Sequence, residues 1–119
     1  MGTHLSVRGK IVLVPFPFDD FSLRKVRPAL CLSDPIGKFE HIVVAFISSK
    51  APEILEESDI LIDPQEDYWA GTGLLVASVL RLHKIVSIPL SLIMRELGSF
   101  PLIMDKLLAE KIKSIFQLK

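Results

Sequence analysis

The sequence predicts a mainly β domain of the α+β class, in which a small, strongly bent sheet or barrel packs against one C-terminal helix. Short apolar runs rich in β-branched residues alternate with proline, glycine and charged residues over most of the chain, which is typical of short strands. Only the C-terminal segment repeats its apolar residues at helical spacing. The 119 residues, 50% of them hydrophobic, suffice for one core, so we expect a single domain over residues 1–119.

The first half of the chain predicts three strands. Two of them, Ile11–Phe16 and Ala29–Leu32, are apolar runs bounded by proline and charge. Proline cannot donate to a strand ladder, so Pro28 suits the first residue of a strand or an edge, which places Arg27 at the mouth of the second strand. The third strand, His41–Ile47, is apolar almost throughout and is expected to be buried on both faces.

The second half predicts shorter strands around one long apolar stretch. A fourth strand is expected at Asp59–Asp63, followed by a turn at Gly71–Gly73. The stretch Leu74–Ile88 is interpreted as two strands that meet near residues 83–84. A brief strand is expected at Arg95–Leu97, closed by a glycine.

The C-terminal helix has recognisable start signals. Ser99 is a plausible N-cap and Pro101 fits the first turn. Lysines occupy the face opposite the apolar one, two of them near the C-terminal end, where the helix dipole favours a positive charge. The apolar residues at helical spacing are Ile103, Leu107, Leu108, Ile112, Ile115 and Phe116.

Composition excludes several classes of protein. A net charge of zero argues against indiscriminate binding to nucleic acid, but residues 53–67 are acidic and both flanks are basic, so the protein can still present a basic face. No window approaches the ~18 apolar residues of a membrane span, and no secretory signal is visible, so no membrane partner is expected. Cys31, set among apolar residues, predicts a buried thiol and favours a reducing, cytoplasmic compartment. Residues 1–6 form a polar, irregular segment, and residues 1–7 are expected to be disordered or the remnant of a fused tag.

Few residues are left that could carry chemistry. The one cysteine and three histidines lack the spacing of metal ligands, and no glycine-rich phosphate loop or nucleophile elbow is present, so we expect no metal ion and no cofactor. Arg27 at a strand mouth and Ser48 at a strand end remain, with a possible basic cleft near His83 and Lys84. The simpler alternatives are a surface arginine paired with an aspartate and a serine that stabilises a turn.

Five segments, in order along the chain, resemble the motifs of the MazF/PemK toxin family: Gly9–Phe18, Val26–Ser33, Val44–Ser49, Leu80–Ile85 and Leu97–Ser99 before the helix. The resemblance runs from about residue 8 to the C-terminus. It implies a small SH3-like barrel, also found in CcdB, and a homodimer held inactive by a cognate antitoxin. The implied activity is that of an mRNA interferase, a metal-independent endoribonuclease that cleaves single-stranded mRNA and so inhibits translation and growth.

The resemblance also implies site residues. Arg27 matches the family's catalytic arginine, and Ser48 falls where the family has a threonine or serine. Lys10 departs from the family's usual aspartate, which affects a local salt bridge. The loop 18–25 matches the segment that lies against RNA or antitoxin. The implied RNA-binding residues are Phe18, Asp20, Ser22, Arg24, Lys25, Ser49, His83 and Lys84.

The implied chemistry needs no protein nucleophile. The ribose 2′-hydroxyl attacks the neighbouring phosphorus, leaving a 2′,3′-cyclic phosphate and a 5′-hydroxyl, while Arg27 stabilises the charge that develops on the phosphate. The general base stays open among His41, His83, Asp19 and Asp20. Two other functions also stay open: a CcdB-like gyrase-poisoning toxin and a catalytically inactive SH3-like binding module. Neither of these needs the pair of Arg27 and Ser48.

Overall fold

A computed structural model describes residues 6–15, 25–50 and 52–119. Within these residues a six-stranded antiparallel sheet curls into a half-barrel, in the strand order β4-β5-β3-β2-β1-β6. The mainly β class with a C-terminal helix is therefore confirmed. The strands are β1 (Lys10–Pro15), β2 (Val26–Cys31), β3 (His41–Ser48), β4 (Asp59–Ile62), β5 (Ser78–Pro89) and β6 (Arg95–Ser99). The helices are α1 (Trp69–Thr72) and α2 (Asp105–Ile115), with 3-10 turns at Leu90–Leu92 and Leu102–Met104.

The two faces of the sheet carry separate hydrophobic clusters because successive residues of a strand point to opposite faces. We call the face that packs on α2 the helix-side face and the other the far face. The helix-side cluster includes Ile11, Leu30, Ala45, Ile47, Ile60, Ile62, Leu80, Leu82 and, from α2, Leu108. The far-face cluster consists of Val12, Val14, Ala29, Cys31, Ile42, Val44, Phe46 and Ile88. β3 contributes to both clusters, as its continuous apolar run predicts.

The thiol of Cys31 is buried in the far-face cluster. Burial, reinforced by the negative charges of Glu96 and Asp34, raises the pKa of this thiol to about 11. The thiol is therefore protonated at neutral pH, and the prediction of a buried thiol is confirmed.

One prediction of the strand pattern is wrong: β5 is a single strand, and it does not divide into two near residues 83–84. Ala45 of β3 pairs with Ile85, whereas the next residue, Phe46, pairs with Arg81, so a bulge in β5 absorbs three extra residues. β3 continues to pair on both sides of the bulge, which keeps the two halves of β5 in one line. Because the bulge adds an odd number of residues, the alternation of side chains between the two faces is reversed from one half of β5 to the other. Residues 81 and 83 therefore point to the far face.

The N-cap prediction is also wrong. Ser99 belongs to β6, and its backbone pairs with that of Lys10 in the sheet. It therefore cannot begin a helix. The chain then makes a 3-10 turn, and α2 starts at Asp105 without a side-chain cap. The carboxylate of Asp105 lies in the first turn, where the helix dipole favours a negative charge. No helix among the described residues has the length and apolar character needed to cross a membrane.

The short helix α1 packs directly against β6. The predicted turn at Gly71–Gly73 is the end of this short helix, with Gly73 in the left-handed conformation. A Cβ atom added to Gly98 would lie 2.4 Å from the carbonyl oxygen of Gly71, so the two backbones touch directly. Glycine at position 98 is required by this approach.

Candidate nucleic-acid interface

Arg27 lies at the mouth of β2, as predicted. It is the second residue of the strand, half-buried, and opposite Val14 of β1. Over residues 26–28, β2 pairs with β1 alone, because its ladder with β3 begins at Ala29, opposite Phe46. Pro28 is thus the third residue of the strand and lies where β2 is still an edge toward β3, which suits a residue without an N–H.

Ser48 is the last residue of β3 and shares the far face with Arg27. Continuing the Ala29–Phe46 register by two residues sets Arg27 opposite Ser48, and opposed residues of antiparallel strands point to the same face. Lys25, just before β2, and Ser49, just after β3, are exposed at the same end of the sheet. The antiparallel arrangement of β2 and β3 therefore brings four of the predicted site residues to one end of the sheet.

The hydroxyl of Ser48 stabilises a turn, as the simpler alternative predicts. Its oxygen accepts a hydrogen bond from the backbone N–H of Lys50 at 3.1 Å and donates one to the Lys50 carbonyl at 3.0 Å. A hydroxyl has a single proton, so donation to a phosphate oxygen would replace the contact with that carbonyl. The turn holds the hydroxyl at the strand end.

Sequence reasoning missed an ion pair on the same face. Arg81 of β5 lies between Phe46 of β3 and Asp59 of β4, and its Nε donates to Oδ1 of Asp59 at 2.7 Å. The Asp59 side chain is fully buried and that of Arg81 is 16% exposed. The other carboxylate oxygen, Oδ2, accepts the backbone N–H of Glu56 at 2.8 Å. The two partners are 22 residues apart, and only the strand pairing reveals that they meet.

The bulge in β5 brings His83 to this ion pair. The Nε2 atom of His83 is 3.4 Å from Nη2 of Arg81, and Nδ1 is 3.4 Å from Oγ of Ser58 and 3.9 Å from Oδ1 of Asp59. The imidazole is 38% exposed. His41 begins β3 at the opposite end from Ser48, about 23 Å away along an eight-residue strand. Of the two histidines in the described residues, His83 is therefore the one that lies at the candidate site.

The remaining predicted residues divide into two groups. Lys84 is exposed in the bulge beside His83. Phe18, Asp20, Ser22 and Arg24, together with Asp19, lie outside the described residues.

The departure at Lys10 creates a salt bridge, because its Nζ lies 3.5 Å from Oε2 of Glu96 on β6. Within residues 6–15, 25–50 and 52–119, no group of three or more histidine, cysteine or acidic side chains could hold a metal ion.

Comparison with known proteins identifies the family of this chain. The sequence model for PemK-like, MazF-like toxins of type II toxin–antitoxin systems matches residues 7–116. The chain belongs to this family. None of the curated protein sequences matches it.

Solved structures agree on the fold of this PemK/MazF-like chain. The Mycobacterium tuberculosis toxin MazF-mt6 superposes with a TM-score of 0.69 at 24% identity, over 92% of this chain and 98% of that one. A mycobacterial endoribonuclease, solved in complex with its cognate antitoxin, superposes with a TM-score of 0.65 at 11% identity, over 95% and 94%. At these identities the two structures establish the fold alone.

Proposed function

We propose that this PemK/MazF-like chain is a metal-independent, sequence-specific endoribonuclease that cleaves single-stranded RNA. The observation that carries the proposal is the arrangement on the far face. Arg27 and Ser48 lie on this face at the same end of the neighbouring strands β2 and β3, and Arg81 and His83 lie on it in β5, the next strand after β3. Two guanidinium groups on one surface suit a substrate with a phosphate at every nucleotide. Family membership supports the same assignment.

The chemistry follows from the substrate. RNA carries its own nucleophile, so the protein has to orient the phosphate, stabilise the charge on its equatorial oxygens and move protons. Arg27 contacts those oxygens as charge develops, and Ser48 donates its hydroxyl proton to the same phosphate in place of the Lys50 carbonyl. Arg81, held in place by Asp59, binds a phosphate of the RNA beside the one that Arg27 and Ser48 contact. The products are a 2′,3′-cyclic phosphate and a 5′-hydroxyl.

The proposal includes two protein partners. A solved structure with this fold contains an endoribonuclease and its cognate antitoxin, and Arg27 with the neighbouring Lys25 offers a positive surface to an acidic antitoxin segment that competes with RNA. A second copy of the chain is the other partner. Among the described residues, several large apolar side chains are at least three-quarters exposed, which favours a homodimer. They are Phe39, Ile54, Leu75, Leu102 and Ile103.

The test is cleavage of a long defined RNA by the purified protein in the presence of EDTA, with both new ends mapped. We expect cuts at a recurring short sequence, a cyclic phosphate on the upstream fragment, a 5′-hydroxyl on the downstream fragment and an undiminished rate with the chelator. Cleavage that stops on chelation would overturn the metal-independent mechanism. RNA left intact would overturn the ribonuclease, and gyrase-dependent DNA breaks in the same preparation would identify a CcdB-like activity.

A further inference from the structure

The neighbours of His83 favour one tautomer of its imidazole. An arginine N–H can only donate, so the contact between Nη2 of Arg81 and the imidazole makes Nε2 an acceptor. The proton of a neutral imidazole therefore sits on Nδ1, which faces Oγ of Ser58 at 3.4 Å and the carboxylate of Asp59 at 3.9 Å. His83 thus presents a basic nitrogen on the side where the Arg81 guanidinium lies.

Charged groups surround the imidazole unevenly. The buried carboxylate of Asp59, on β4, faces Nδ1 and stabilises a positive imidazolium. Arg81, on the same strand as His83, and Lys84, its neighbour in sequence, oppose that charge, while β3 contributes the uncharged Phe46 opposite Arg81. The segment before β4 contributes the neutral hydroxyl of Ser58. Opposite charges near one imidazole suit a group that gains and loses a proton during a reaction.

The contact between Arg81 and His83 is also easily exchanged. At 3.4 Å it is longer than a normal hydrogen bond, whereas the Nε bond to Asp59 at 2.7 Å is short and buried. A phosphate can therefore bind the outer edge of Arg81 while Asp59 keeps the guanidinium in place. The Nη2 donor then turns from Nε2 to the phosphate oxygen, and Nε2 is left free to accept the proton of a ribose hydroxyl beside that phosphate.

We propose that His83 is the general base of the ribonuclease, an inference that rests on the proposed function. Nε2 takes the proton of the 2′-hydroxyl as the bond between O2′ and phosphorus forms. The bond between phosphorus and O5′ breaks, and the leaving oxygen takes a proton from water. The resulting imidazolium, stabilised by Asp59, then releases its proton to solvent. No atom is gained or lost by the RNA, whose cut ends are the cyclic phosphate and the 5′-hydroxyl.

The test is the pH dependence of kcat/KM for a short RNA that contains one cleavage site. For the wild-type protein we expect log kcat/KM to rise with pH with a slope of about 1 and then to level off, because only the neutral imidazole can accept a proton. His83→Gln should lose the rising limb and about 10²–10⁴-fold of the rate. His41→Gln is the matched control: the same substitution, on an exposed histidine at the other end of β3, should leave the profile unchanged.

Two further measurements separate proton transfer from folding and binding. His83→Ala should recover part of its activity when imidazole is added, a rescue that a purely structural role would not produce. Affinity for a non-cleavable RNA with a 2′-O-methyl group at the cut site should change by less than about threefold in His83→Gln, since a base adds little to ground-state binding.

The outcomes distinguish the two proposals. Wild-type protein that cleaves no RNA overturns the ribonuclease, and the role of His83 with it. Wild-type protein that cleaves RNA, with a His83→Gln variant that keeps the rising limb, overturns only the assignment of the base. A loss of affinity as large as the loss of rate makes His83 a binding residue and also overturns the assignment.

Discussion

Two groups of polar side chains share the far face, and they are built differently. Arg27 and Ser48 lie at the ends of strands, beside loops, and the Ser48 hydroxyl belongs to an exposed turn. Arg81 and Asp59 lie within the sheet, on directly paired residues of β4 and β5, with the carboxylate fully buried. The first group can change its contacts when RNA binds, whereas the second is held rigidly by the fold. The comparison shows that a site can combine adaptable donors with one fixed cation.

The largest expected effect concerns stability, and it separates the two arginines. Arg81→Met leaves the carboxylate of Asp59 buried without its cation, so we expect the free energy of unfolding to fall by about 3–5 kcal/mol. Arg27→Met, the matched substitution at the strand mouth, should cost less than about 1 kcal/mol. Urea denaturation followed by circular dichroism measures both values.

A double variant is the control for the stability prediction. Asp59→Leu combined with Arg81→Met removes both charges and should recover most of the loss, because the penalty comes from an unpaired buried charge. Equal destabilisation by the two single arginine variants would contradict the distinction between a fixed and an adaptable group.

The second effect concerns catalysis at Arg27. Arg27→Ala should raise the activation barrier by about 3–4 kcal/mol, seen as a loss of about 10²–10³-fold in kcat, because one donor to the developing charge is removed. Arg27→Lys should recover little, since an ammonium group lacks the planar fork of a guanidinium. The control is Arg95→Ala, an exposed arginine on β6. Cleavage by Arg27→Ala at the wild-type rate would contradict this site.

The smallest effect is expected at Ser48. Ser48→Ala should lower kcat by less than Arg27→Ala, about three- to tenfold, which corresponds to one hydrogen bond of about 0.5–1.5 kcal/mol. Ser48→Thr keeps the hydroxyl and should retain activity. Ser87→Ala, an exposed serine near the other end of β5, is the control for a general effect of the substitution. Single-turnover rates at saturating protein make the comparison. A Ser48→Ala variant as impaired as Arg27→Ala would mean that the turn, and not the hydroxyl, is essential.

Local pattern was sufficient for much of the fold. Apolar runs bounded by proline and charge located the early strands to within a few residues, since burial on a sheet demands such runs wherever the strand goes. The apolar spacing of the C-terminal segment identified α2, and its Leu108 is buried in the helix-side cluster. Pro28 correctly located Arg27 at the mouth of β2, because the missing N–H restricts where proline can stand.

The errors occurred where pairing between strands decides the outcome. Nothing within residues 74–88 indicates that β3 pairs along both halves of β5, so the continuous strand and its bulge were not predictable. Ser99 has the side chain of an N-cap, but its backbone pairs with Lys10 at the other end of the chain. In both cases the competing partner is remote in sequence.

The sequence by itself determined where most of the strands and the long helix lie, and that Arg27 stands at a strand mouth, because these depend on hydrophobic periodicity and on the geometry of proline. Only the tertiary structure decided the strand register. Register brings Arg27 and Ser48 to the same face and the same end of the sheet, pairs Asp59 with Arg81, and turns His83 onto that face through an odd-numbered bulge. The physical reason is that hydrogen bonds between strands fix which remote side chains face each other, and that pairing is not written in any local segment.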